Sequence, residues 1–165
     1  MSSKEISRGY VRKAAMQDVS RLAEILIFTK RMHYRSIFHN DKVSFGEMQV
    51  LPLAQEYLSE PGKLENIWVY DDEFVKGIIR IEDSWIRELY VDFFFQKSGI
   101  GTELLNFAVQ EYDARKLFVL EKNRSAIDFY EKHGFSLTQE RRKEQGTEEF
   151  LVKMERLFPS RKSIL

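Results

Sequence analysis

The spacing of hydrophobic positions along the chain changes from helical to alternating and back. Residues 10–15 begin with Tyr-Val and predict a first strand. Apolar residues three and four apart then predict a helix over residues 19–30. A second helical pattern covers residues 45–58, with Pro52 near its start or at a kink. The aromatic stretch between them, residues 33–44, has no clear period and is predicted to be irregular.

From residue 66 the hydrophobic positions alternate with polar ones. Three such runs, NIWVY, FVKGIIRI and SWIRELYV, are joined by short polar turns and predict an antiparallel meander. Helical spacing then returns over residues 100–112, and the apolar run at residues 117–120 predicts a buried strand.

The C-terminal part predicts a short helix and two strands. The helix covers residues 125–133, and Gly134 is placed to end it. The strands cover residues 135–139 and 149–154, and the charged stretch between them is predicted to be a solvated hairpin loop. The order β-α-α-β-β-β-α-β-α-β-β predicts one α/β domain with a mixed sheet over residues 1–165.

Composition narrows the class of protein. Lys plus Arg and Asp plus Glu both number 26, so no strong attraction to nucleic acid or to a membrane is expected. The absence of cysteine excludes disulfides, thiolate metal sites and a cysteine nucleophile. The N-terminus lacks an apolar signal, and no apolar stretch is long enough to cross a bilayer, which predicts a cytoplasmic protein.

A glycine turn, QKSGIGT, joins the third meander strand to the next helix. The first amides of a helix lack partners within it, and glycine at 99 and 101 allows the backbone to approach an anion closely. Lys97 adds a positive charge and Gln96 a donor. The pattern therefore indicates phosphate binding, with a turn that holds no ligand as the alternative.

Two nucleotide-binding motifs do not fit this turn. A dinucleotide fingerprint needs a third glycine where Leu104 stands, and a Walker A loop needs Gly-Lys-Ser/Thr at its end. A nucleotide-binding α/β domain is therefore disfavoured.

A second motif, NRSAIDFYEKHGF, covers residues 123–135. Tyr130 lies on the apolar face of its helix, one turn beyond Ala126, so it is either a core residue or a positioned phenol.

Together the two motifs resemble those of the GNAT superfamily, the acyl-CoA-dependent N-acyltransferases. The first motif is matched by Gln96, Gly99 and Gly101, and the second by Asn123, Ala126, Phe129, Tyr130, Gly134 and Phe135. The resemblance implies a mostly antiparallel sheet flanked by helices, and acetyl-CoA as co-substrate.

The resemblance also implies how acetyl-CoA is bound. The pyrophosphate would lie on backbone amides of Gln96, Lys97, Ser98, Gly99, Ile100, Gly101 and Thr102. The strands at residues 85–91 and 117–120 would splay apart, so that the pantetheine arm inserts between them. Leu89, Tyr90 and Val91 would bond the arm and polarise the thioester, and Asn123 would contact the arm.

In this family the amine attacks the thioester directly, and the resemblance assigns Tyr130 as the acid that protonates the leaving thiolate. Core packing is the alternative role for that side chain. The positions where family members carry a glutamate base are Trp85 and Phe118 here. Glu88, then Glu82, remain as candidate bases, directly or through water, and solvent is a further alternative.

Acceptor contacts are expected from the segment between the first two helices, with His33, Tyr34, Arg35, Phe38 and His39 as candidates. The three histidines do not have metal-ligand spacing, so no metal is expected. The predicted function is N-acetylation of a primary amine on a small molecule or a peptide. A non-catalytic acyl-CoA sensor or scaffold is the alternative, and either a monomer or a homodimer through the C-terminal run EEFLVKM fits the sequence.

Overall fold

The computed structural model describes residues 9–157, apart from the side chains of residues 34 and 36–38. Within this range the observed element order matches the predicted one. The helices and strands are β1 Tyr10–Lys13, α1 Val19–Phe38, α2 Val50–Ser59, β2 Ile67–Asp72, β3 Phe74–Glu82, β4 Trp85–Val91, α3 Ile100–Tyr112, β5 Lys116–Leu120, α4 Arg124–Lys132, β6 Phe135–Lys143 and β7 Phe150–Arg156.

The seven strands form a single sheet in the order β1-β2-β3-β4-β5-β7-β6. Every neighbouring pair in the described range is antiparallel except β4 with β5, which run parallel. Because α3 connects β4 to β5, this parallel pair is the expected product of a strand-helix-strand crossover. The prediction of a mixed, mostly antiparallel sheet is confirmed.

Hydrophobic cores lie on both faces of the sheet. On one face, α3 and α4 bury Leu104, Leu105 and Ile127 against the sheet. On the other, α1 and α2 contribute Leu22 and Tyr57. Strand β3 is covered on both faces, so that the consecutive residues Ile78 and Ile79 lie in different cores.

Helix α1 is longer than predicted, and the segment expected to be irregular is largely helical. The sequence contains no glycine or proline between residues 33 and 38 that would stop the helix. A π-helical turn at Lys42–Glu47 follows. Arg31 of α1 holds this turn by donating to the carbonyl oxygens of Ser44 and Met48, at 2.8 and 2.7 Å.

The charged C-terminal stretch is also more ordered than predicted, because β6 continues to Lys143. Its charged side chains pair across to other segments: Lys153 of β7 lies 3.0 Å from Glu140, and Arg141 lies 2.7 Å from Glu121. Only the end of the stretch forms the predicted hairpin loop. Opposite charges facing each other between strands support an extended conformation.

Candidate active site

The sheet opens between β4 and β5. These strands pair only at Trp85 with Lys116 and Ile86 with Leu117, and no further pair joins them in the described range. Beyond that point β4 stays paired with β3 up to Val91, whereas β5 stays paired with β7. Each strand is therefore held on its outer side while its inner edge faces a gap.

A cleft of about 350 Å³ occupies this gap. The predicted cofactor-binding residues that line it are Leu89, Tyr90, Val91, Gln96, Lys97, Gly99, Ile100, Gly101, Thr102, Asn123 and Tyr130. Ser98 does not line it, and its hydroxyl instead donates to the carbonyl oxygen of Phe95. Residues from three separate segments thus meet along one continuous surface.

The glycine turn is shaped by backbone conformations that favour glycine. Gly99 caps α3 with a φ of 90°, and Lys97 also has a positive φ of 61°. The Gln96 side chain donates to the carbonyl oxygen of Val91 at 3.2 Å, which ties the turn to the end of β4. The amino end of α3, where the helix dipole favours negative charge, therefore lies at the cleft with Lys97 beside it.

Gly101 differs from Gly99 because a Cβ atom there would be tolerated by its neighbours and would instead fill space beside the cleft. A Cβ atom at this position would lie 3.5 Å from the Phe129 ring and 3.7 Å from Val91 Cγ2, between two residues at the cleft. The glycine keeps that space open and leaves the first turn of α3 accessible to a ligand.

Helix α4 forms the opposite wall of the cleft. The Asn123 side chain caps it by accepting from the amide of Ala126 at 3.2 Å. Tyr130 is buried, and its ring packs at 5.2 Å from that of Phe129 and at 5.8 Å from that of Phe135. It lines the cleft as well, so the core and cleft positions predicted as alternatives coexist in one side chain.

A histidine links this wall to the glycine turn. His133 Nδ1 lies 2.7 Å from the carbonyl oxygen of Phe129, and its Nε2 lies 3.1 Å from the hydroxyl of Thr102. Because a carbonyl only accepts, Nδ1 carries the hydrogen, and in the neutral ring Nε2 accepts from Thr102. Sequence analysis missed this contact, which connects α4 to the first turn of α3.

Helix α1 adds two polar residues to the cleft, Thr29 and His33, one helical turn apart. Burial lowers the pKa of His33 below its ordinary value of 6.5, which favours the neutral imidazole. Thr29 was not predicted, although its spacing of four from His33 on an amphipathic helix was a usable signal.

The other predicted acceptor contacts lie elsewhere or cannot be placed. Arg35 and His39 line a separate surface cavity at the end of α1, together with Arg31 and Asp41. The side chains of residues 34 and 38 lie outside the described residues. Of the predicted set, the structure thus brings His33 to the cleft.

A second cavity, of about 630 Å³, lies beside the cleft and is called the groove here. Its floor includes Trp85, Glu88 and Phe118 from the sheet, and its walls come from α1 and from the β6–β7 hairpin. Tyr90 lines both the groove and the cleft, so the two cavities meet at this residue. The Trp85 and Phe118 rings are nearly parallel, at 10° and 5.6 Å.

The two candidate bases line the groove and do not line the cleft. Glu88 is 17% exposed and lies 3.5 Å from Arg80 and 3.7 Å from Lys30. Both separations exceed ordinary hydrogen-bond distances, so these cations balance its charge without strong directional bonds. Glu82 is held more firmly, with Arg87 at 3.0 Å.

The charge of Glu88 also affects its surroundings. Burial first, and then the negative charge of Glu88, raise the pKa of Tyr57 on α2 to about 12. That phenol is therefore protonated at neutral pH.

In residues 9–157, no helix combines the length and the apolar character needed to cross a membrane. The same described residues contain no group of three or more acidic or histidine side chains arranged to hold a metal ion.

Comparison with known proteins supports one family. Residues 63–137 match the model of the GNAT acetyltransferase domain. An uncharacterized N-acetyltransferase of Methanocaldococcus jannaschii is 34% identical over 79 residues, which span 45% of this chain and 35% of that relative. The chain therefore covers about a third of the length of this relative.

Solved structures show the same fold. The PaiA N-acetyltransferase of Thermoplasma acidophilum in complex with coenzyme A superposes with a TM-score of 0.63 at 19% identity, over 89% of this chain and 98% of that one. YncA of Salmonella typhimurium with its cofactor acetyl-CoA gives a TM-score of 0.61 at 18% identity, over 88% of this chain and 91% of that one.

Proposed function

Residues 63–137 match the GNAT acetyltransferase domain, and from this match we propose that the chain is a GNAT-superfamily enzyme that transfers an acetyl group from acetyl-CoA to a primary amine. The observation that carries the proposal is the opening of the sheet after Ile86 and Leu117. It leaves a cleft with the amino end of α3 at one end and the groove at the other. Such a cleft suits a long ligand that is anionic at one end and reactive at the other.

The pyrophosphate of acetyl-CoA would bind at the turn Gln96–Thr102. The first backbone amides of α3 lack partners within the helix and could donate to phosphate oxygens, and Lys97 at the cleft supplies a positive charge. The pantetheine arm would extend between β4 and β5, where the unpaired inner edges offer backbone donors and acceptors. Asn123 would contact the arm through the part of its side chain that does not cap α4.

At the reacting end, the amine nitrogen would attack the thioester carbon while backbone N–H groups of Leu89–Val91 stabilise the negative oxygen. The tetrahedral intermediate then collapses, the carbon–sulfur bond breaks, and the thiolate takes a proton from the Tyr130 phenol. Tyr130 can serve this role because it lines the cleft and its ring is fixed by aromatic neighbours. The attacking nitrogen then loses its extra proton, which water carries to the phenolate to restore the phenol.

The acceptor amine would enter through the groove and meet the thioester near Tyr90. Glu88 is the candidate group to receive the ammonium proton, directly or through water. It lies two residues from Tyr90 on the same strand, and both therefore project to the same face of the sheet. Its contacts to Lys30 and Arg80 are loose enough to leave its oxygens available to an amine.

A non-catalytic acyl-CoA-binding module remains the second candidate function. One observation favours it: Trp85 and Phe118 pack against each other where family members carry an acid. Such a module would still bind acyl-CoA in the cleft. Its groove would offer no base to an acceptor amine.

Continuous measurement of CoA-thiol release from acetyl-CoA tests the proposal, with a panel of polyamines, aminoglycosides, amino acids and short peptides. A chain without cysteine gives no thiol background in this assay. Release that depends on one amine class, and that falls in Tyr130→Phe, would support the enzyme. Tight acetyl-CoA binding with no release across the panel would favour the binding module.

A further inference from the structure

Thr29 stands out among the residues of the cleft because its hydroxyl has no partner. The residue is 3% exposed, and its Oγ1 makes no hydrogen bond within the described part of the chain. A threonine in a helix usually donates to the carbonyl oxygen of the preceding turn, and Thr29 does not. Buried hydroxyl groups without partners are uncommon because they destabilise the folded state.

The position of Thr29 indicates where its missing partner would lie. The residue borders the cleft on one side and a smaller cavity of about 240 Å³ on the other. In the smaller cavity the polar groups already have partners: Arg21 binds Asp92 at 2.6 Å, and Asp92 also accepts from the amide of Phe94. The cleft, in contrast, is the space that the proposed co-substrate would fill.

Helix α1 places Thr29 at the part of the cleft that is lined by the end of β4. Thr29 and His33 lie on one side of α1, and both line the cleft together with Leu89, Tyr90 and Val91. Under the proposed function, this part of the cleft holds the acyl-pantetheine end of the ligand. That end carries a thioester carbonyl and amide carbonyls, all of which accept hydrogen bonds.

We propose that Thr29 is a binding residue for acyl-CoA, whose hydroxyl donates a hydrogen bond to a carbonyl oxygen at the acyl-pantetheine end of the ligand. The inference rests on the proposed function and adds to it a contact from α1. The hydroxyl has no hydrogen-bond partner among the described residues and would gain one when the ligand binds. Ligand binding therefore removes a destabilising feature of the free protein.

This role predicts opposite effects of Thr29→Val on stability and on binding. Valine has nearly the same shape and no hydroxyl, so the free variant should melt at the same or a higher temperature than the wild type. Its dissociation constant for acetyl-CoA, measured by isothermal titration calorimetry, should rise by roughly three- to tenfold. Thr29→Ser keeps the hydroxyl and should retain most of the affinity.

Thr102→Val is the matched control for stability. The hydroxyl of Thr102 has a partner, His133, at 3.1 Å, so the free form of this variant should melt at a lower temperature. Titration with coenzyme A and with acetyl-CoA identifies the carbonyl that accepts. A loss confined to acetyl-CoA indicates the thioester carbonyl, and an equal loss for both indicates an amide carbonyl of the arm.

Three outcomes would overturn the inference. Unchanged affinity of Thr29→Val for both ligands is the first, and a lower melting temperature of the free variant is the second. The third is weak binding by Thr29→Ser, which would mean that shape and not the hydroxyl matters. If the wild-type protein bound neither coenzyme A nor acetyl-CoA, the proposed function would be wrong, and the inference about Thr29 would fail with it.

Discussion

At the scale of single residues, Tyr130 combines burial in the core with a position on the wall of the cleft. Its ring packs with Phe129 and Phe135, and the residue still lines the cleft. Core packing and proton donation are alternatives at the level of sequence, because an apolar helix face does not show whether the hydroxyl group lies in the core or at a cleft. In a GNAT-type transfer, a rigidly packed ring is an advantage, since it fixes the donor relative to the sulfur.

Tyr130→Phe should lower the rate of acetyl transfer by at least about tenfold, equivalent to about 1.4 kcal/mol of transition-state stabilisation. The affinity for acetyl-CoA should change little, because the ring and its packing are kept. Steady-state kinetics together with calorimetric titration of acetyl-CoA would measure both effects. Full turnover in the variant would leave Tyr130 as a core residue.

His33 gives a prediction about pH. Burial lowers its pKa in the folded protein below the value of about 6.5 expected in the unfolded chain. Below that pH the unfolded chain binds more protons, so folding stability is lost as the pH falls from about 6.5 through the folded pKa. Above pH 6.5 both states are neutral at this residue and the effect vanishes.

Melting temperatures of the wild type and of His33→Gln between pH 5 and 8 would measure the loss of folding stability that His33 causes at low pH. The wild type should lose stability relative to the variant as the pH falls below about 6.5. His39→Gln is the control, since His39 is exposed and lies away from the cleft. Parallel curves for wild type and His33→Gln would show that the burial of His33 is not linked to protonation.

At the scale of elements, the two glycines at the start of α3 differ in what they contribute. Gly99 has a φ of 90°, and the space that a Cβ atom would occupy there is open, so its requirement is conformational. Gly101 lies within the helix, where a Cβ atom would project toward Phe129 and Val91. Spacing alone identified both positions, and the structure separates their roles.

Substitution by alanine should reveal that difference. Gly99→Ala should destabilise the free protein by about 1–2 kcal/mol, because an L-residue is strained at this φ. Gly101→Ala should keep or raise its stability by up to about 1 kcal/mol, since alanine favours a helix, while acetyl-CoA binding weakens. Denaturant unfolding and calorimetric titration would measure the pair. Equal stability losses in both variants would contradict this assignment.

Element boundaries also show where local patterns are insufficient. Helix α1 continues through His33 to Phe38, and β6 continues to Lys143, although both segments lack a clear hydrophobic period. Contacts from distant residues stabilise them: Lys153 pairs with Glu140 in β6, and Arg31 holds the π-helical turn that follows α1. Hydrophobic periodicity alone underestimates the length of such helices and strands, because contacts with residues remote in sequence stabilise their ends.

At the scale of the whole molecule, the candidate functional region lies where pairing between two neighbouring strands of the sheet stops. The cleft and the groove lie on either side of the opened β4–β5 edge and meet at Tyr90. This arrangement suits a reaction of two substrates that enter from different directions. It also separates the proposed acid, Tyr130, from the candidate base, Glu88, which line different cavities.

Ligand binding across this break should stabilise the whole fold. Acetyl-CoA at about 100 times its dissociation constant would add about 2.7 kcal/mol and raise the melting temperature by roughly 5–10 °C. NAD and ATP at the same concentration should give little or no shift, because the glycine turn lacks their motifs. An equal shift with all three would mean that the turn binds phosphate without selecting coenzyme A.

The position of β7 bears on assembly. It lies between β5 and β6, with both sides paired, so the run EEFLVKM does not form an exposed sheet edge. The edge strand on that side is β6, whose exposed face carries many charged residues. Charged edge strands disfavour pairing with another sheet. A homodimer through the run EEFLVKM is therefore not supported by this fold.

The sequence by itself determined the order of elements, the glycine turn at the start of α3 and Tyr130 on the apolar face of α4. These features depend on residues close together in the chain, where period, capping and turn chemistry act directly. The tertiary structure alone decided at which residues β4 and β5 separate, and that Glu88 lines the groove while Thr29 lines the cleft. Those placements depend on the pairing of strands and the packing of helices distant in sequence, which no local pattern records.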